Sequence, residues 1–312
     1  MDKTIDFIVI GRNVEKTIVS CLDHLLKLEL GEGFIIGEIF YIDGQSNDES
    51  FNLVSKFKSI RRVKLKANYL TASLGRKTGM EISKSEFICF LDGDMDLIGV
   101  NFNKLLKYLL KYNAVISDRH EILYNSDNSI DKIIPFFYDF GIIKEVNKIG
   151  GFLLAKRSII NNAHYNEILI DEEETDFYSQ FYSKNKIFCV PIEAYKHNNY
   201  NRAQYRVKNY LSFRGKTGHI ISFFLSIKNG YFLNYLKLQR NYSLTYLLWI
   251  LSFFTILINF YLGICLLVLS ILTLISIKKS LPLVFFFLPY KLISALLILL
   301  LKQDNKVSIK EH

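Results

Sequence analysis

The stretch Glu86–Asp96 (EFICFLDGDMD) decides the fold class, because a short apolar run passes directly into a turn that carries three carboxylates. An apolar run of this length, with β-branched and aromatic residues, indicates a buried strand. Asp92, Asp94 and Asp96 follow it at alternate positions. Like charges crowded at a strand end favour a bound cation, and their oxygen ligands suit Mg²⁺ or Mn²⁺. The alternative is a solvated acidic turn that binds nothing.

Two further apolar runs, Ile5–Ile10 and Ile35–Ile42, predict strands upstream of this stretch, and segments of helical periodicity separate the three runs. Strands that alternate with helices indicate an α/β fold with a mainly parallel sheet. In such sheets ligands bind at the carboxyl ends of the strands. Gly11, Asp43 and Asp92 all fall at these ends, so the sequence predicts a ligand site there.

Asp43 lies in a second polar stretch at a strand end, Tyr41–Asp48 (YIDGQSND). An acidic residue at this position can accept a hydrogen bond from a nucleotide base or ribose. Asp43 or Ser46 can equally cap the following helix, which requires no ligand. Both interpretations stay open on the sequence alone.

The 312 residues carry a net charge of +9, and residues 197–312 hold 14 basic residues but only two acidic ones. Leu244–Ile277 has no charged residue, which predicts membrane-embedded helices. We therefore expect four parts along the chain. They are a globular domain at 1–206, amphipathic interfacial helices at 207–243, transmembrane or membrane-embedded helices at 244–302 and a polar tail at 303–312.

Basic residues interleaved with long apolar runs favour membrane lipids as a partner, so we expect no nucleic acid. The pair Lys278–Lys279 predicts a return of the chain to the cytoplasm. The predicted location is the inner (cytoplasmic) membrane, crossed several times, with the N-terminal domain facing the cytoplasm. The four cysteines show no C-x-x-C spacing, which fits a reducing compartment.

Four short motifs occur in order within the first hundred residues. They are Ile8–Glu15 (IVIGRNVE), Asp43–Asp48 (DGQSND), Ala72–Gly79 (ASLGRKTG) and Phe90–Asp94 (FLDGD). Together they resemble glycosyltransferase family 2, a large inverting group with the GT-A fold of nucleotide-diphospho-sugar transferases. The resemblance implies a Rossmann-like, mainly parallel sheet and a donor sugar carried on UDP or GDP.

The resemblance also implies a role for each matching residue. The residues expected to bind the nucleotide sugar are Gly11, Arg12, Asn13, Glu15, Asp43, Arg76 and Asp92. Asp94, with Asp92 and His197, would hold a divalent metal, Mg²⁺ or Mn²⁺, that bridges the diphosphate. His197 could equally contact the diphosphate or serve a structural role. The family's Pro-x-Tyr before Asn13 is absent and Lys77 stands where the family has Asn, so the base is not specified.

The segment Asp171–Phe177 (DEEETDF) resembles the family's E-D-x-D-L segment, whose first Asp is the general base. On that register Glu174 is the base, and Glu173 or Asp176 takes the role if the register shifts. A carboxylate base must lie within hydrogen-bond reach of the acceptor hydroxyl. The alternative is an acidic first helical turn that interacts favourably with the helix dipole.

The predicted function is the inverting transfer of a sugar from a nucleotide-diphosphate donor to a membrane-linked acceptor, either a lipid-linked glycan or a polysaccharide hydroxyl. A first alternative is a polyprenyl-phosphate sugar synthase, whose acceptor is an ionised phosphate and needs no protein base. A second is a non-catalytic membrane scaffold that retains the fold. The presence of Arg76, Asp92 and Asp94 favours an enzyme.

Overall fold

The computed structural model describes residues 2–31, 33–136, 141–200, 217–276, 281–301 and 307–311. The chain forms two compact units. The first comprises Met1–Ile168, Phe181–Gln204 and Asp304–His312, and the second comprises Leu169–Gln180 and Tyr205–Gln303. The boundary predicted between 206 and 207, and with it the start of the interfacial segment, lies outside the described residues.

The first unit is built on a sheet to which eleven strands of the described residues contribute. The strands are β1 (Lys3–Gly11), β2 (Phe34–Asp43), β3 (Ile60–Lys66), β4 (Phe87–Asp92), β5 (Met95–Leu97), β6 (Ala114–Tyr124), β7 (Ile130–Phe136), β8 (Lys144–Glu145), β9 (Leu153–Lys156), β10 (Phe188–Asn199) and β11 (Ser308–Glu311). Their order is β11-β3-β2-β1-β4-β9-β6-β10-β5, with β7 beside β6 and β8 beside β10.

Strands β1 to β4 are parallel, as the alternation of strands and helices predicts, and β11 pairs antiparallel with β3 at their edge. β1 pairs in parallel with β2 and β4, and β2 pairs in parallel with β3. Beyond β4 the sheet is mixed, because β9 runs antiparallel to β4 and β6 whereas β6 and β10 are parallel. The predicted α/β class is confirmed, but the mainly parallel arrangement holds only for the half that contains β1–β4.

In the described part of the first unit, five helices pack on this sheet or connect its strands. They are α1 (Ile18–Leu26), α2 (Ser50–Val54), α3 (Ala72–Ile82), α4 (Gly99–Tyr112) and α5 (Arg157–Ile160). α3 lies close against β1, since a Cβ on Gly79 would come within 2.2 Å of Ile8 Cγ2. α1 buries Ile18, Leu22 and Leu25 at the spacing of one helix face.

Two segments differ from what the sequence pattern indicates. Helical periodicity begins at Asn13, but α1 begins only at Ile18, and the Asn13 backbone has a φ of 56°, which an α-helix does not use. The polar and aromatic mixture of residues 118–150 predicts loops, yet β6 continues through the start of this region to Tyr124. The polar residues of β6 masked its strand pattern.

The second unit is helical in its described part. Its helices are α6 (Glu173–Ser179), α7 (Gly218–Lys228), α8 (Phe232–Leu238), α9 (Arg240–Ile258), α10 (Phe260–Ser276) and α11 (Leu281–Leu301). Aromatic rings pack between α7 and α8, where Phe223 lies 5.6 Å from Phe232 and 6.5 Å from Tyr235 in edge-to-face arrangements.

The prediction of a multi-pass protein of the inner membrane is wrong. Within the described ranges, none of the helices combines the length and the apolar character needed to cross a membrane. A span requires about 20 predominantly apolar residues. The long apolar stretch from 244 to 277 is divided at Asn259, whose extended backbone ends α9, and α10 has only 17 residues. The described side chains of α11 run from Tyr290 to Leu300 and include the buried Lys291.

Candidate active site

The carboxyl ends of β1, β2 and β4 meet at one edge of the sheet. In the two parallel registers Gly11 pairs with Asp43, and Ile10 pairs with Asp92. The Gly44 amide donates to the Gly11 carbonyl at 2.8 Å, which ties the ends of β1 and β2 together. The structure therefore brings Gly11, Asp43 and Asp92 to one place, as their positions after apolar runs predict.

A cleft of about 250 Å³, which we call the first cleft, opens over these strand ends. Its apolar walls come from Ile10, Val14, Ile42, Leu65 and Leu70. Its polar side chains come from Arg12, Thr71, Asp92 and Asp94. An apolar slot with a few convergent polar groups is the usual form of a small-molecule site, and here it suits a nucleoside that carries a charged group.

Asp43 is fully buried and is hydrogen-bonded inside its own loop. Its Oδ2 accepts from the Ser46 amide at 3.0 Å, and its Oδ1 accepts from the Tyr41 hydroxyl at 3.3 Å. Burial raises the pKa of Tyr41, and the Asp43 carboxylate adds to the rise, so Tyr41 stays a donor. Asp43 thus closes the turn that leads to α2.

Asn13 and Glu15 join the loop after β1 to the loop after β2. Asn13 Oδ1 accepts from the Asn47 amide at 2.9 Å, and Glu15 Oε2 accepts from the Glu49 amide at 3.1 Å. Ser46 Oγ accepts from the Asn13 amide at 2.9 Å. These side chains fix the shape of both loops. Asn13 and Glu15 line a second cleft, whereas Gly11 and Arg12 line the first one.

That second cleft has a volume of about 520 Å³, and most of the residues that line it are polar. Asn13, Glu15, Lys16, Asp48 and the end of β10 from His197 to Tyr200 line it. It shares Val14 and Asp94 with the first cleft. Asp94 is therefore accessible from both clefts.

Arg76 and Asp92 form an ion pair beside the first cleft. The Arg76 guanidinium is 3% exposed and lies 2.7 Å from Asp92 Oδ1. The same guanidinium lies 5.9 Å from the centre of the Tyr165 ring. Burial raises the pKa of Asp92; Arg76 lowers it in part, and the nearby Asp94 carboxylate adds to the rise. Asp92 is thus a carboxylate whose charge depends on Arg76.

Asp94 is held by a chain of charged side chains. His197 Nε2 lies 3.3 Å from Asp94 Oδ2, and His197 Nδ1 lies 2.9 Å from Glu121 Oε2. Arg119 binds the other oxygen of Glu121 at 2.7 Å. Burial disfavours the charged imidazole, but the hydrogen bonds to Asp94 and Glu121 outweigh it and raise the pKa of His197 to about 10. At neutral pH His197 therefore donates to both carboxylates.

Two features of the site fit a divalent cation. Asp94 Oδ1 is buried and has no hydrogen-bond partner among the described residues, which leaves a ligand oxygen unsatisfied. The Gly151 backbone lies so close to Asp92 that a Cβ there would come within 1.9 Å of Asp92 Oδ2. No three His, Cys, Asp or Glu side chains of the described part could hold a metal by themselves. This matches Mg²⁺-type sites, in which one or two carboxylates share the ion with substrate phosphates.

The acidic cluster predicted to contain the base begins α6 in the second unit. Asp176 is fully buried; its Oδ1 accepts from the Tyr231 hydroxyl at 2.8 Å and its Oδ2 from Gln180 Nε2 at 3.3 Å. Burial raises the pKa of Asp176 to about 7. A substrate hydroxyl could not reach this enclosed carboxylate. Glu173 is also buried, whereas Glu174 is half-buried.

Sequence reasoning missed three residues of the site: Arg119, Glu121 and Gly151. Arg119 and Glu121 occupy alternate positions of β6, so both side chains point to the same face of the strand. This pair of opposite charges two residues apart is the sequence signal that could have drawn attention to them. Gly151 gives no comparable signal, because its closeness to Asp92 depends on how the strands are arranged.

Comparisons with known proteins identify a family and several similar sequences. The model of the family described as "Glycosyl transferase family 2" matches residues 6–169. The chain is 38% identical over 87 residues to poly(ribitol-phosphate) beta-N-acetylglucosaminyltransferase TarP of Staphylococcus aureus, covering 27% of this chain and 25% of TarP. It is 28% identical over 91 residues to UDP-Glc:alpha-D-GlcNAc-diphosphoundecaprenol beta-1,3-glucosyltransferase WfaP of Escherichia coli, covering 29% of this chain and 35% of WfaP. The chain thus spans about a quarter to a third of these relatives.

Solved structures share the fold at low sequence identity. A crystal structure of S. aureus TarS 1-349 in complex with UDP-GlcNAc has a TM-score of 0.52 and 16% identity, covering 64% of this chain and 60% of that one. A crystal structure of GalNAc-T7 with UDP, GalNAc and Mn²⁺ has a TM-score of 0.55 and 13% identity, covering 72% of this chain and 48% of that one.

Proposed function

Because the chain belongs to glycosyl transferase family 2, we propose that it transfers a sugar from a nucleotide-diphosphate donor to an acceptor hydroxyl with inversion of the anomeric carbon. One observation carries the proposal. Asp94 presents an unsatisfied carboxylate oxygen beside the Arg76–Asp92 pair, at strand ends that also form an apolar cleft. A donor with an apolar-packing base and a charged diphosphate fits that combination.

The donor is a UDP-sugar in this proposal, and UDP-GlcNAc is the first candidate. TarP is named as an N-acetylglucosaminyltransferase, WfaP uses UDP-Glc by its name, and TarS 1-349 was solved with UDP-GlcNAc. The apolar walls of the first cleft would receive the uracil, and Asp92 would face the ribose or the cation. Arg12 would lie near the diphosphate, where its positive charge is favourable.

Asp94, with Asp92, would hold the divalent cation, Mg²⁺ or Mn²⁺. When bound, such a cation neutralises the negative charge that develops on the departing diphosphate. His197 supports Asp94 through its hydrogen bond, and its predicted role as a direct ligand stays a prediction. Arg76 favours the ionised form of Asp92 and holds this carboxylate in place.

Glu174 is the proposed general base, with Glu173 as the alternative. The carboxylate accepts the proton of the acceptor hydroxyl while the hydroxyl oxygen forms a bond to the anomeric carbon. The bond from that carbon to the diphosphate breaks in the same step, and its electron pair leaves with the diphosphate. A single displacement of this kind inverts the stereochemistry. Asp176 takes no part, because it is enclosed by Tyr231 and Gln180.

We place the acceptor hydroxyl on an anionic glycan or polyol, free or carried on a lipid. TarP acts on poly(ribitol-phosphate) and WfaP on a sugar linked to diphosphoundecaprenol, so both names describe phosphate-bearing acceptors. The net charge of +9 would attract such an acceptor.

The test is donor hydrolysis and transfer by the purified protein with a panel of UDP-, GDP- and dTDP-sugars, each with Mn²⁺, with Mg²⁺ and with a chelator. We expect turnover of one donor that depends on the metal. Asp94→Asn should reduce this turnover about a hundredfold or more, because a preorganised charge at the leaving group is lost. Asp127→Asn is the matched control, since Asp127 is an exposed turn residue that lines neither cleft.

A folded protein that turns over none of the donors, or an Asp94→Asn variant as active as Asp127→Asn, would contradict the proposal. The former result would favour the non-catalytic scaffold. Glu174→Gln separates the two enzyme alternatives. Loss of transfer with donor binding intact supports a hydroxyl acceptor, whereas full activity supports a polyprenyl-phosphate acceptor, whose oxygen is already ionised.

A further inference from the structure

We infer that Glu121, fixed by Arg119, is a positioning residue for the metal site: it orients His197, which in turn holds the Asp94 carboxylate with one oxygen free for the cation. The inference rests on the proposed function, because it assigns a purpose to residues behind Asp94. It concerns strands β6 and β10, which the family motifs of the first hundred residues do not reach.

The contacts form a continuous chain from the Arg119 guanidinium to the Asp94 carboxylate. Arg119 grips Glu121 Oε1 with two nitrogens, Nε at 2.8 Å and a terminal nitrogen at 2.7 Å. The other carboxylate oxygen, Oε2, lies 2.9 Å from His197 Nδ1. Because two nitrogens of Arg119 bind the same carboxylate, Glu121 is held in one orientation. In that orientation Oε2 faces the imidazole of His197.

Strand pairing sets the positions of these side chains. Glu121 and His197 are directly opposite each other in the parallel register of β6 and β10. His197 is also opposite Met95 in the antiparallel register of β10 and β5. Met95 follows Asp94 in the sequence. The backbone N–H of Asn198 donates a hydrogen bond to the backbone carbonyl of Asp94 at 2.8 Å. The backbone and the side chain of β10 therefore both act on Asp94.

The two carboxylate oxygens of Asp94 differ in their contacts. Oδ2 lies 3.3 Å from His197 Nε2, whereas Oδ1 is buried and has no hydrogen-bond partner in the described structure. Ligating carboxylates and histidines in metal sites are commonly oriented by such second partners, whose loss weakens metal binding about 10- to 100-fold. Without Glu121 the imidazole is free to rotate, and Asp94 loses its fixed direction.

The same strand pair supplies a matched control. His120 and Glu193 form a second histidine–carboxylate pair between β6 and β10. Their side chains are 29% and 25% exposed, and neither lines the first or the second cleft. Glu193→Gln therefore makes the same chemical change on the same strands without touching the chain that ends at Asp94.

The experiment measures Mn²⁺ affinity directly, by the electron paramagnetic resonance signal of free Mn²⁺, with and without UDP. We expect Glu121→Gln to raise the Mn²⁺ dissociation constant about 10- to 100-fold, and Glu193→Gln to leave it within about twofold of the wild type. In the double variant Glu121→Gln/His197→Ala the loss should equal that of His197→Ala alone, because Glu121 acts through His197. Thermal unfolding checks that each variant is folded.

Three results overturn the inference. If Glu121→Gln and Glu193→Gln bind Mn²⁺ with equal affinity, Glu121 has no special role at the metal site, and the proposed function is unaffected. Additive losses in the double variant would mean that Glu121 acts independently of His197. If the wild type binds no Mn²⁺ even with UDP, the proposed function loses its metal, and the inference about Glu121 is wrong as well. If Glu121→Gln does not fold, Glu121→Asp carries the same test, since the shorter side chain keeps the charge but loses the reach.

Discussion

At the scale of single residues, the Asp92 carboxylate is confined on two sides. The Arg76 guanidinium lies 2.7 Å from Oδ1, and the Gly151 backbone closes the space beside Oδ2. A carboxylate fixed in this way can present its remaining surface to a ligand in one orientation only. Position 151 is therefore glycine for reasons of space and not of backbone conformation.

Gly151→Ala tests this confinement. A Cβ at 151 would come within 1.9 Å of Asp92 Oδ2, so the carboxylate must move away from Arg76. We expect kcat/KM for the donor to fall roughly tenfold to a hundredfold, the effect of displacing a site group by about 1 Å. Donor hydrolysis measures it.

Gly99→Ala is the control, because the nearest heavy atom to a Cβ there is 3.5 Å away, an ordinary contact. If the two alanine variants were equally active, the position of Asp92 could not depend on the space at Gly151.

At the scale of elements, helix α6 is anchored through a buried carboxylate. Asp176 receives hydrogen bonds from Tyr231, just before α8, and from Gln180 at the end of α6. Burial raises its pKa from an ordinary 3.8 to about 7. The protonated acid is thus the form that the fold favours.

This predicts a pH-dependent stability that one substitution removes. A pKa raised on folding adds stability that is complete below about pH 4 and is lost as the pH rises through about 7. The shift of about 3 units corresponds to ~4 kcal/mol. Asp176→Asn keeps the shape and one acceptor oxygen for the Tyr231 hydroxyl but cannot ionise, so its unfolding free energy should fall less between pH 4.5 and pH 8.

Urea denaturation at several pH values gives the comparison. If the curves of unfolding free energy against pH run parallel for the wild type and Asp176→Asn, folding does not raise the pKa of Asp176.

At the scale of the whole molecule, the chain leaves the first unit twice and returns twice. Its last return is β11, which pairs antiparallel with β3 from Ser308 opposite Lys66 to Glu311 opposite Val63. β11 thereby covers an edge of β3 that would otherwise offer unpaired backbone groups. β3 also contributes Leu65 to the first cleft, so this edge strand supports a wall of the site.

Deletion of residues 308–312 should therefore lower the unfolding free energy and promote self-association through β3. Glu311→Gln is the control that removes only the ion pair with Arg61, in which both side chains are about half exposed. Such a surface pair contributes ~1 kcal/mol at most. Urea denaturation and size-exclusion chromatography compare the variants. A deletion no more harmful than Glu311→Gln would mean that β11 does not stabilise the sheet.

The sequence by itself determined the parallel half of the sheet and the acidic strand ends. β1, β2 and β4 contain long runs of buried residues, so their apolar character is visible without any knowledge of the fold. Asp43, Asp92 and Asp94 follow these runs directly, and the parallel alternation of strands and helices brings their ends together. Local sequence suffices here because the strand ends at the site are set by consecutive elements.

Only the tertiary structure decided the remainder. His197 and Glu121 are 76 residues apart and meet because β6 and β10 are paired, which no local pattern indicates. The membrane prediction was wrong for a related reason. Hydropathy records the composition of a stretch, but it does not fix whether one helix has both the length and the apolar character that a span requires. Contacts between distant strands and the exact bounds of helices depend on packing, and packing is decided by the fold as a whole.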